Sequence, residues 1–164
     1  MSDSKDFKNY NQVIRQDLNI SSDSNKHALK FKTTWGLFSP RTIDNGSQML
    51  LDFLDINSAD DCLDLGCGYG VLGLTMAKLA PNGHTLLVDK DFIAVEYSEK
   101  NRILNHIDNA SCLLSNGFDH IPKQSFDIIV SNIPAKVGKE MLYIYLFDAL
   151  EHLKPGGSFY IVTI

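Results

Sequence analysis

From residue 60 onward the sequence alternates short apolar runs with longer amphipathic segments, and this alternation restricts the fold more than any other feature. Apolar runs predict five strands, at residues 61–65, 84–89, 110–115, 126–131 and 158–164. Helices are predicted at 71–80, from a cap at Asp91 to about Asn105, and over about 139–153, where KPGG (154–157) ends the last one. Continuous apolar strands between helices indicate a parallel sheet covered on both faces. The sequence therefore predicts an α/β fold with a doubly wound, mostly parallel sheet.

The part of the chain before residue 60 is less regular. Residues 1–26 are polar, rich in Ser, Asn and Asp, and without periodicity. They are interpreted as a mobile or loosely packed lead-in to a single domain that spans residues 27–164. Within that domain, residues 28–34 alternate apolar and polar side chains and predict a short strand. A loop is predicted at 35–46, and a helix with one apolar face at 47–56.

Composition excludes several classes of protein. The net charge is −5, so the chain has no bulk basic surface for nucleic acid, and RNA binding would need a local patch. No apolar run approaches the ~20 residues that span a bilayer, and the polar N-terminus predicts no export, so no membrane partner is expected. The three cysteines, at positions 62, 67 and 112, lack metal-ligand spacing and favour a reduced, cytoplasmic protein.

Three alternating glycines follow the first strand of the predicted sheet, at Gly66, Gly68 and Gly70. Ligands bind at the carboxyl ends of strands in such sheets, and backbone amides beside a helix N-terminus form a polar cradle there. Asp89 ends the second strand, 23 residues after Gly66, where an acid commonly binds the two ribose hydroxyls of a nucleoside cofactor. A nicotinamide dinucleotide usually goes with the pattern GxGxxG, but the third glycine position here is Val71.

The segment DLGCGYG (64–70) with the acid at Asp89 resembles the S-adenosylmethionine site of Rossmann-like methyltransferases. Further segments resemble the small-methyltransferase-domain family, namely GLFSPRTIDNGSQMLL (36–51), SNGF (115–118), FDIIVSNIPAKVGKE (126–140) and HLKPGG (152–157). That family includes enzymes that methylate the exocyclic amine of guanine in ribosomal RNA. The resemblance implies a methyltransferase that uses S-adenosylmethionine, releases S-adenosylhomocysteine and acts on RNA, most readily ribosomal RNA.

Carried over by position, the resemblance assigns the cofactor contacts of the loop. Gly66, Gly68 and Gly70 would approach the methionine part and the ribose, with Cys67 as a small filler between them. Asp64 would orient the loop or the bound amine of the cofactor.

Residues after the next two strands would hold the nucleoside. Asp89 would bind the ribose hydroxyls, Lys90 would lie beside the adenine edge, and Asn116 would contact the adenine amine.

The methyl acceptor would meet the segment after the fourth strand. Relatives that methylate nitrogen typically have Asn-Pro-Pro and an aromatic or other apolar residue there, and this chain has Asn132, Ile133, Pro134 and Ala135. The side-chain oxygen of Asn132 and the carbonyl of Ile133 would accept the two protons of an amine, which points its lone pair at the methyl group. Pro134 would stiffen the loop. Ala135 cannot stack on a base, so a small metabolite or a protein side chain remains an alternative acceptor.

Aromatic and basic residues near these segments are candidates for substrate binding. Trp35 or Phe38 could supply the missing ring, and a core role for one of them is the alternative. Arg41, Lys136 and Lys139 could meet phosphates, although such side chains are often solvated surface.

Methyltransferases of this superfamily usually have two further strands, which this sequence lacks. The last strand would then have an unpaired edge. The chain is expected to be short or truncated, to pair with a second copy as a homodimer, or to cover the edge with its N-terminal segment. A module that binds the cofactor or RNA without catalysis is the non-enzymatic alternative.

Overall fold

The computed structural model describes residues 17–22, 28–133 and 138–163. In chain order the elements are β1 (Leu18–Ser22), β2 (Leu29–Thr33), α1 (Asn45–Phe53), β3 (Cys62–Leu65), α2 (Val71–Leu79), β4 (Thr85–Asp89), α3 (Phe92–Leu104), β5 (Ala110–Leu114), β6 (Phe126–Ile133), α4 (Lys139–His152) and β7 (Leu153–Thr163). Within these described ranges, no helix has both the length and the apolar character required to cross a bilayer.

The main sheet has the strand order β5-β4-β3-β6-β7, and neighbouring strands in its described part are all parallel. This confirms the predicted doubly wound fold. Alternate side chains of β3 point to opposite faces: Leu63 and Leu65 pack with Ala149 of α4, while Cys62 packs with Leu50 of α1. Burial on both faces explains why these strands are continuous apolar runs.

The interpretation of residues 1–26 as a lead-in is wrong for residues 18–22. These residues form β1, which pairs antiparallel with β2 in a separate two-stranded sheet. The apolar side chains Leu18 and Ile20 alternate with polar neighbours over five residues only, and this signal is hidden within a polar segment. The rest of the predicted lead-in, residues 1–16 and 23–26, lies outside the described residues.

Asn101 of α3 and Asn105, the C-cap of that helix, attach this hairpin to the main domain. Asn101 is fully buried and accepts from the Lys32 amide at 2.7 Å, while its Nδ2 donates to the Lys32 and Tyr69 carbonyls at 2.8 Å each. One turn later, Asn105 makes the same pair of bonds to the backbone of Lys30, at 2.9 and 2.7 Å. Because Tyr69 lies in the glycine-rich segment, Asn101 also links the hairpin to that segment.

The segment 154–157 ends α4 as predicted, but it also belongs to β7. Phe126 of β6 pairs with Leu153, and Ile128 pairs with Ser158. The four residues 154–157 therefore lie opposite the single residue Asp127 and form a bulge. A Cβ on Gly157 would lie 2.9 Å from the Asp127 carbonyl oxygen, which is why glycine is required at that position.

Strand β7 is an edge of the described sheet, with β6 as its neighbour. The expectation that the N-terminal segment covers this edge is wrong for residues 18–22, because β1 pairs with β2 and β2 packs on α3. Pairing with a second copy stays a prediction. In helix α4, beside this edge, Tyr143, Phe147 and Leu150 have exposed fractions of 60%, 68% and 68%.

Candidate functional site

A cleft of about 300 Å³ lies at the carboxyl ends of β3, β4 and β6, where the strand order of the sheet reverses. This volume is at the lower end of the range for small-molecule sites. The residues that were predicted from sequence and line the cleft are Phe38, Asp64, Gly66, Cys67, Gly68, Asp89, Lys90, Asn132 and Ile133. The fold therefore brings the predicted cofactor loop and the predicted acceptor residues to one place.

The glycine loop is held by β4 and leaves open space on its cleft side. The amides of Gly66 and Cys67 both donate to the Val88 carbonyl at 2.9 Å. Gly66 and Gly68 have positive φ angles, +77° and +56°, and a Cβ built on either would meet no atom within 4 Å. Any other residue would strain the turn and fill this space, so the loop can receive a ligand closely.

Gly70 differs from the other two glycines. It is the N-cap of α2 with φ of +95°, and a Cβ there would lie 3.1 Å from both Leu74 Cδ1 and Ser98 Oγ. The residues that line the cleft do not include Gly70. The structure therefore explains this glycine by the turn into α2 and by close packing, while its cofactor contact stays a prediction.

Asp64 is a buried carboxylate beneath the loop, with an exposed fraction of 1%. Its Oδ2 accepts from the Gly73 amide at 2.7 Å, and its Oδ1 has no hydrogen-bond partner among the described residues. Burial raises the pKa of Asp64 to about 7; the hydrogen bond from Gly73 opposes this shift, and the charge of Asp89 adds to it. A buried, unpaired carboxylate oxygen beside a cleft would be satisfied by a ligand that donates a hydrogen bond or carries positive charge.

Asp89 presents its carboxylate from the end of β4. Its Oδ2 accepts from the Gly68 amide and its Oδ1 from the Asp91 amide, both at 2.9 Å. Asp91 in turn caps α3, as predicted, by accepting from the Ile93 amide at 2.9 Å. Asp89 is thus fixed at both oxygens, and the remaining lone pairs can accept from hydroxyls in the cleft.

The cleft is acidic. The described residues that line it include the carboxylates of Asp44, Asp64, Asp89 and Asp91 and the ammonium group of Lys90. Such a site attracts a cationic ligand and repels the two negative charges of a dinucleotide pyrophosphate. This charge balance argues against the nicotinamide alternative more directly than the glycine spacing does.

Asn132 lies within β6 and not after it, because that strand continues to Ile133. The prediction that the strand ends at residue 131 is therefore wrong by two residues. The side-chain Nδ2 of Asn132 donates to Asp44 Oδ1 at 2.8 Å and lies 3.1 Å from Ser47 Oγ. Asp44 is the N-cap of α1, and sequence reasoning missed both it and Ser47. An Asp followed by Asn-Gly-Ser before an apolar-periodic segment is a capping signal that would have found Asp44.

The two predicted aromatic residues have different positions. Phe38 lines the cleft and is 59% exposed. Trp35 lies outside the lining, and the guanidinium carbon of Arg41 sits 4.7 Å from the centre of its ring. Phe38 is therefore the aromatic candidate that can reach a ligand in the cleft, while Trp35 and Arg41 form a separate cation–π pair.

Other predicted residues lie away from the cleft or outside the described residues. Asn116 is exposed and outside the lining, whereas its neighbours Ser115 and Gly117 line the cleft. Lys139 is exposed at the start of α4, also outside the lining. Pro134 and Lys136, with Ala135 between them, are not among the described residues.

Tyr145 of α4 also lines the cleft, and the sequence analysis did not assign it to the site. A Cβ on Gly117 would lie 3.3 Å from Tyr145 Cε1, so this glycine makes room for the ring. Its position depends on how α4 packs across the sheet, which no local pattern specifies.

Comparison with known proteins identifies a family that matches this chain. The profile of the family called methyltransferase small domain matches residues 28–164. The ribosomal RNA small subunit methyltransferase C of Hamiltonella defensa subsp. Acyrthosiphon pisum (strain 5AT) is 35% identical over 152 residues, which are 88% of this chain and 45% of that protein. Protein YbxB of Bacillus subtilis (strain 168) is 34% identical over 134 residues, 80% of this chain and 67% of that protein. The chain thus spans less than half of the first of these relatives.

Among solved structures, the T. thermophilus 16S rRNA N2 methyltransferase RsmC, in complex with AdoMet and guanosine, is similar with a TM-score of 0.78 and 27% identity. The similarity covers 88% of this chain and 41% of the other. The folds of the two proteins therefore agree over most of this chain.

Proposed function

This chain belongs to the methyltransferase small domain family, and we propose that it transfers the methyl group of S-adenosylmethionine to an amine nitrogen of guanine in ribosomal RNA, in the cytoplasm. One observation carries the proposal: the glycine loop, Asp89 and Asn132 line the same cleft. A cofactor cradle and an acceptor-orienting amide are the two parts that nitrogen methylation needs. Several relatives are named as ribosomal RNA methyltransferases, which supports RNA as the substrate.

The described residues fit S-adenosylmethionine. The open side of Gly66 and Gly68 can receive the methionine part, and Asp89 can accept from the ribose hydroxyls. The unpaired Oδ1 of Asp64 offers an acceptor for an ammonium group, directly or through water. The acidic lining suits a cofactor that carries a sulfonium and an ammonium charge. When bound, this cofactor would supply an activated methyl group and leave as neutral S-adenosylhomocysteine.

The chain's own part in the reaction is to orient the acceptor. An exocyclic amine is a weak nucleophile because its lone pair is delocalised into the ring. Asn132 Oδ1 and the Ile133 carbonyl would each accept a hydrogen bond from one N–H group of the amine. These two bonds would turn the lone pair toward the methyl group. After transfer the nitrogen releases one proton to solvent. Phe38, exposed at the cleft, would stack on the base in place of the aromatic residue that Ala135 does not supply.

The pH dependence of cofactor binding follows from Asp64. With a pKa raised to about 7, against about 3.8 for an ordinary Asp, the folded protein keeps a proton between pH 4 and 7 that the unfolded chain releases. The contribution of this group to stability therefore falls as pH rises through that window. A cationic ligand favours the carboxylate, so we expect the Kd for S-adenosylmethionine to fall about tenfold from pH 5.5 to 7.5, with proton release on binding.

Calorimetry in buffers of different ionisation enthalpy measures both the Kd for S-adenosylmethionine and the number of protons released on binding. Asp64→Asn should remove the pH dependence, whereas the exposed control Asp108→Asn should retain it. A wild-type Kd that stays flat over this range would mean that Asp64 does not face the cofactor.

The proposed function is tested with tritiated S-adenosylmethionine and undermodified ribosomal RNA, followed by nucleoside analysis. We expect label in N-methylated guanosine and a steep loss of RNA affinity as salt rises. Transfer to a small molecule or protein with no salt dependence would refute RNA as the substrate. Cofactor binding without transfer to any acceptor would favour the non-catalytic module.

A further inference from the structure

We infer that Asp44 is a positioning residue that fixes the amide of Asn132 in one orientation and thereby restricts the acceptor to groups that donate hydrogen bonds, above all amines. The inference rests on the proposed function for its chemical consequence. Its structural half, the fixed amide, stands on the hydrogen bonds from Asn132 Nδ2 to Asp44 Oδ1 and Ser47 Oγ, and not on the proposed function.

The orientation follows from the chemistry of the Asp44 carboxylate. Its Oδ1 accepts from Asn132 Nδ2 at 2.8 Å. An ionised carboxylate accepts hydrogen bonds and donates none, so the nitrogen branch of the amide must face it. A flipped amide would set two oxygens against each other at this distance. The oxygen branch of Asn132 therefore points away from Asp44, and no described residue donates a hydrogen bond to it.

Both ends of this contact are fixed by the backbone. Asp44 Oδ1 also accepts from the amides of Gly46 and Ser47, at 3.0 and 3.1 Å, as the N-cap of α1. Asn132 lies in β6, in register with Val162 of β7. The hydrogen bond thus joins a helix start to a sheet across 88 residues of sequence. Because neither partner has to be ordered when substrate arrives, the amide is preorganised.

A fixed acceptor oxygen selects among nucleophiles. An amine offers two N–H donors, which match Asn132 Oδ1 and a backbone carbonyl. An anionic nucleophile, such as a carboxylate or a thiolate, offers no donor and would also meet the acidic lining of the cleft. Asp44 would therefore contribute to specificity without touching the substrate.

The test separates this role from helix capping by two substitutions. Serine caps helices about as well as aspartate, but its hydroxyl is too short to hold Asn132 as well. Asparagine also caps well and keeps an Oδ1 that can accept the same three bonds. We expect Asp44→Ser to lower kcat about 10- to 100-fold and Asp44→Asn to restore most of the rate. Both variants lose one carboxylate of the acidic lining, so they should share the same small rise in the KM for S-adenosylmethionine. Asp52→Asn, on the exposed side of α1, is the matched control.

A second measurement does not depend on turnover. In ¹⁵N-labelled protein, with the Asn132 side-chain signals identified by their loss in Asn132→Ala, the amide protons should exchange slowly with solvent. Exchange should quicken in Asp44→Ser and stay slow in Asp44→Asn. Full activity or slow exchange in Asp44→Ser would overturn the inference, and so would failure of Asp44→Asn to restore both. A protected amide in a wild type that methylates nothing would leave the positioning intact and refute the proposed function instead.

Discussion

Replacing Asn132 with alanine is expected to lower the rate of methyl transfer about 10²- to 10³-fold while the affinity for S-adenosylmethionine changes less than about twofold. The residue lines the cleft and is fixed to α1 through Asp44 and Ser47. Alanine removes the oxygen that would orient the acceptor amine, but it leaves the glycine loop and Asp89 in place. The loss should therefore appear in kcat and not in cofactor binding.

Single-turnover transfer from labelled cofactor, beside calorimetric titration, separates these two quantities. Asn82→Ala is a matched control, because Asn82 is exposed in the turn after α2. A thermal unfolding curve for each variant excludes misfolding as the cause. Equal losses in Kd and in rate would show that Asn132 supports the cofactor site, and an unchanged rate would refute its proposed role.

The parts of the fold that sequence patterns predict are those with local causes. Burial on both faces makes the inner strands β3, β4 and β6 apolar runs, so they are recognisable one by one. The glycine loop is also local, because positive φ angles at Gly66 and Gly68 admit few other residues. The resemblance based on these segments is confirmed by the family profile over residues 28–164.

The features of the fold and the site that the sequence did not predict depend on contacts between distant segments. β1 has a weak five-residue alternation, and its pairing with β2 determines that it is a strand. The two extra residues of β6 follow from pairing with β7, which no window around Asn132 contains. Asp44 has a local capping signal, but its contact with Asn132 spans 88 residues and becomes visible only in the fold. The same holds for Tyr145, which reaches the cleft from α4.

The other large effect is expected for Asp89→Ala, which should weaken S-adenosylmethionine binding about 100-fold. Two losses combine in this variant. A charged acceptor for the ribose hydroxyls disappears, and hydrogen bonds to charged groups contribute about 1.5–3 kcal/mol each. The Gly68 amide also loses its partner at 2.9 Å, so the loop is less well ordered before the cofactor arrives.

A second substitution at position 89 separates these contributions. Asp89→Asn keeps one acceptor oxygen but replaces the other with a donor, so only one of the two amides, Gly68 or Asp91, keeps its bond. Its Kd should fall between those of wild type and Asp89→Ala, while the exposed control Asp119→Ala should bind normally. If both substitutions at 89 leave the Kd within twofold in folded protein, the carboxylate does not hold the ribose, and the cleft takes a different ligand. If Asp89→Asn binds as poorly as alanine, negative charge is the decisive contribution, as the acidic lining of the cleft suggests.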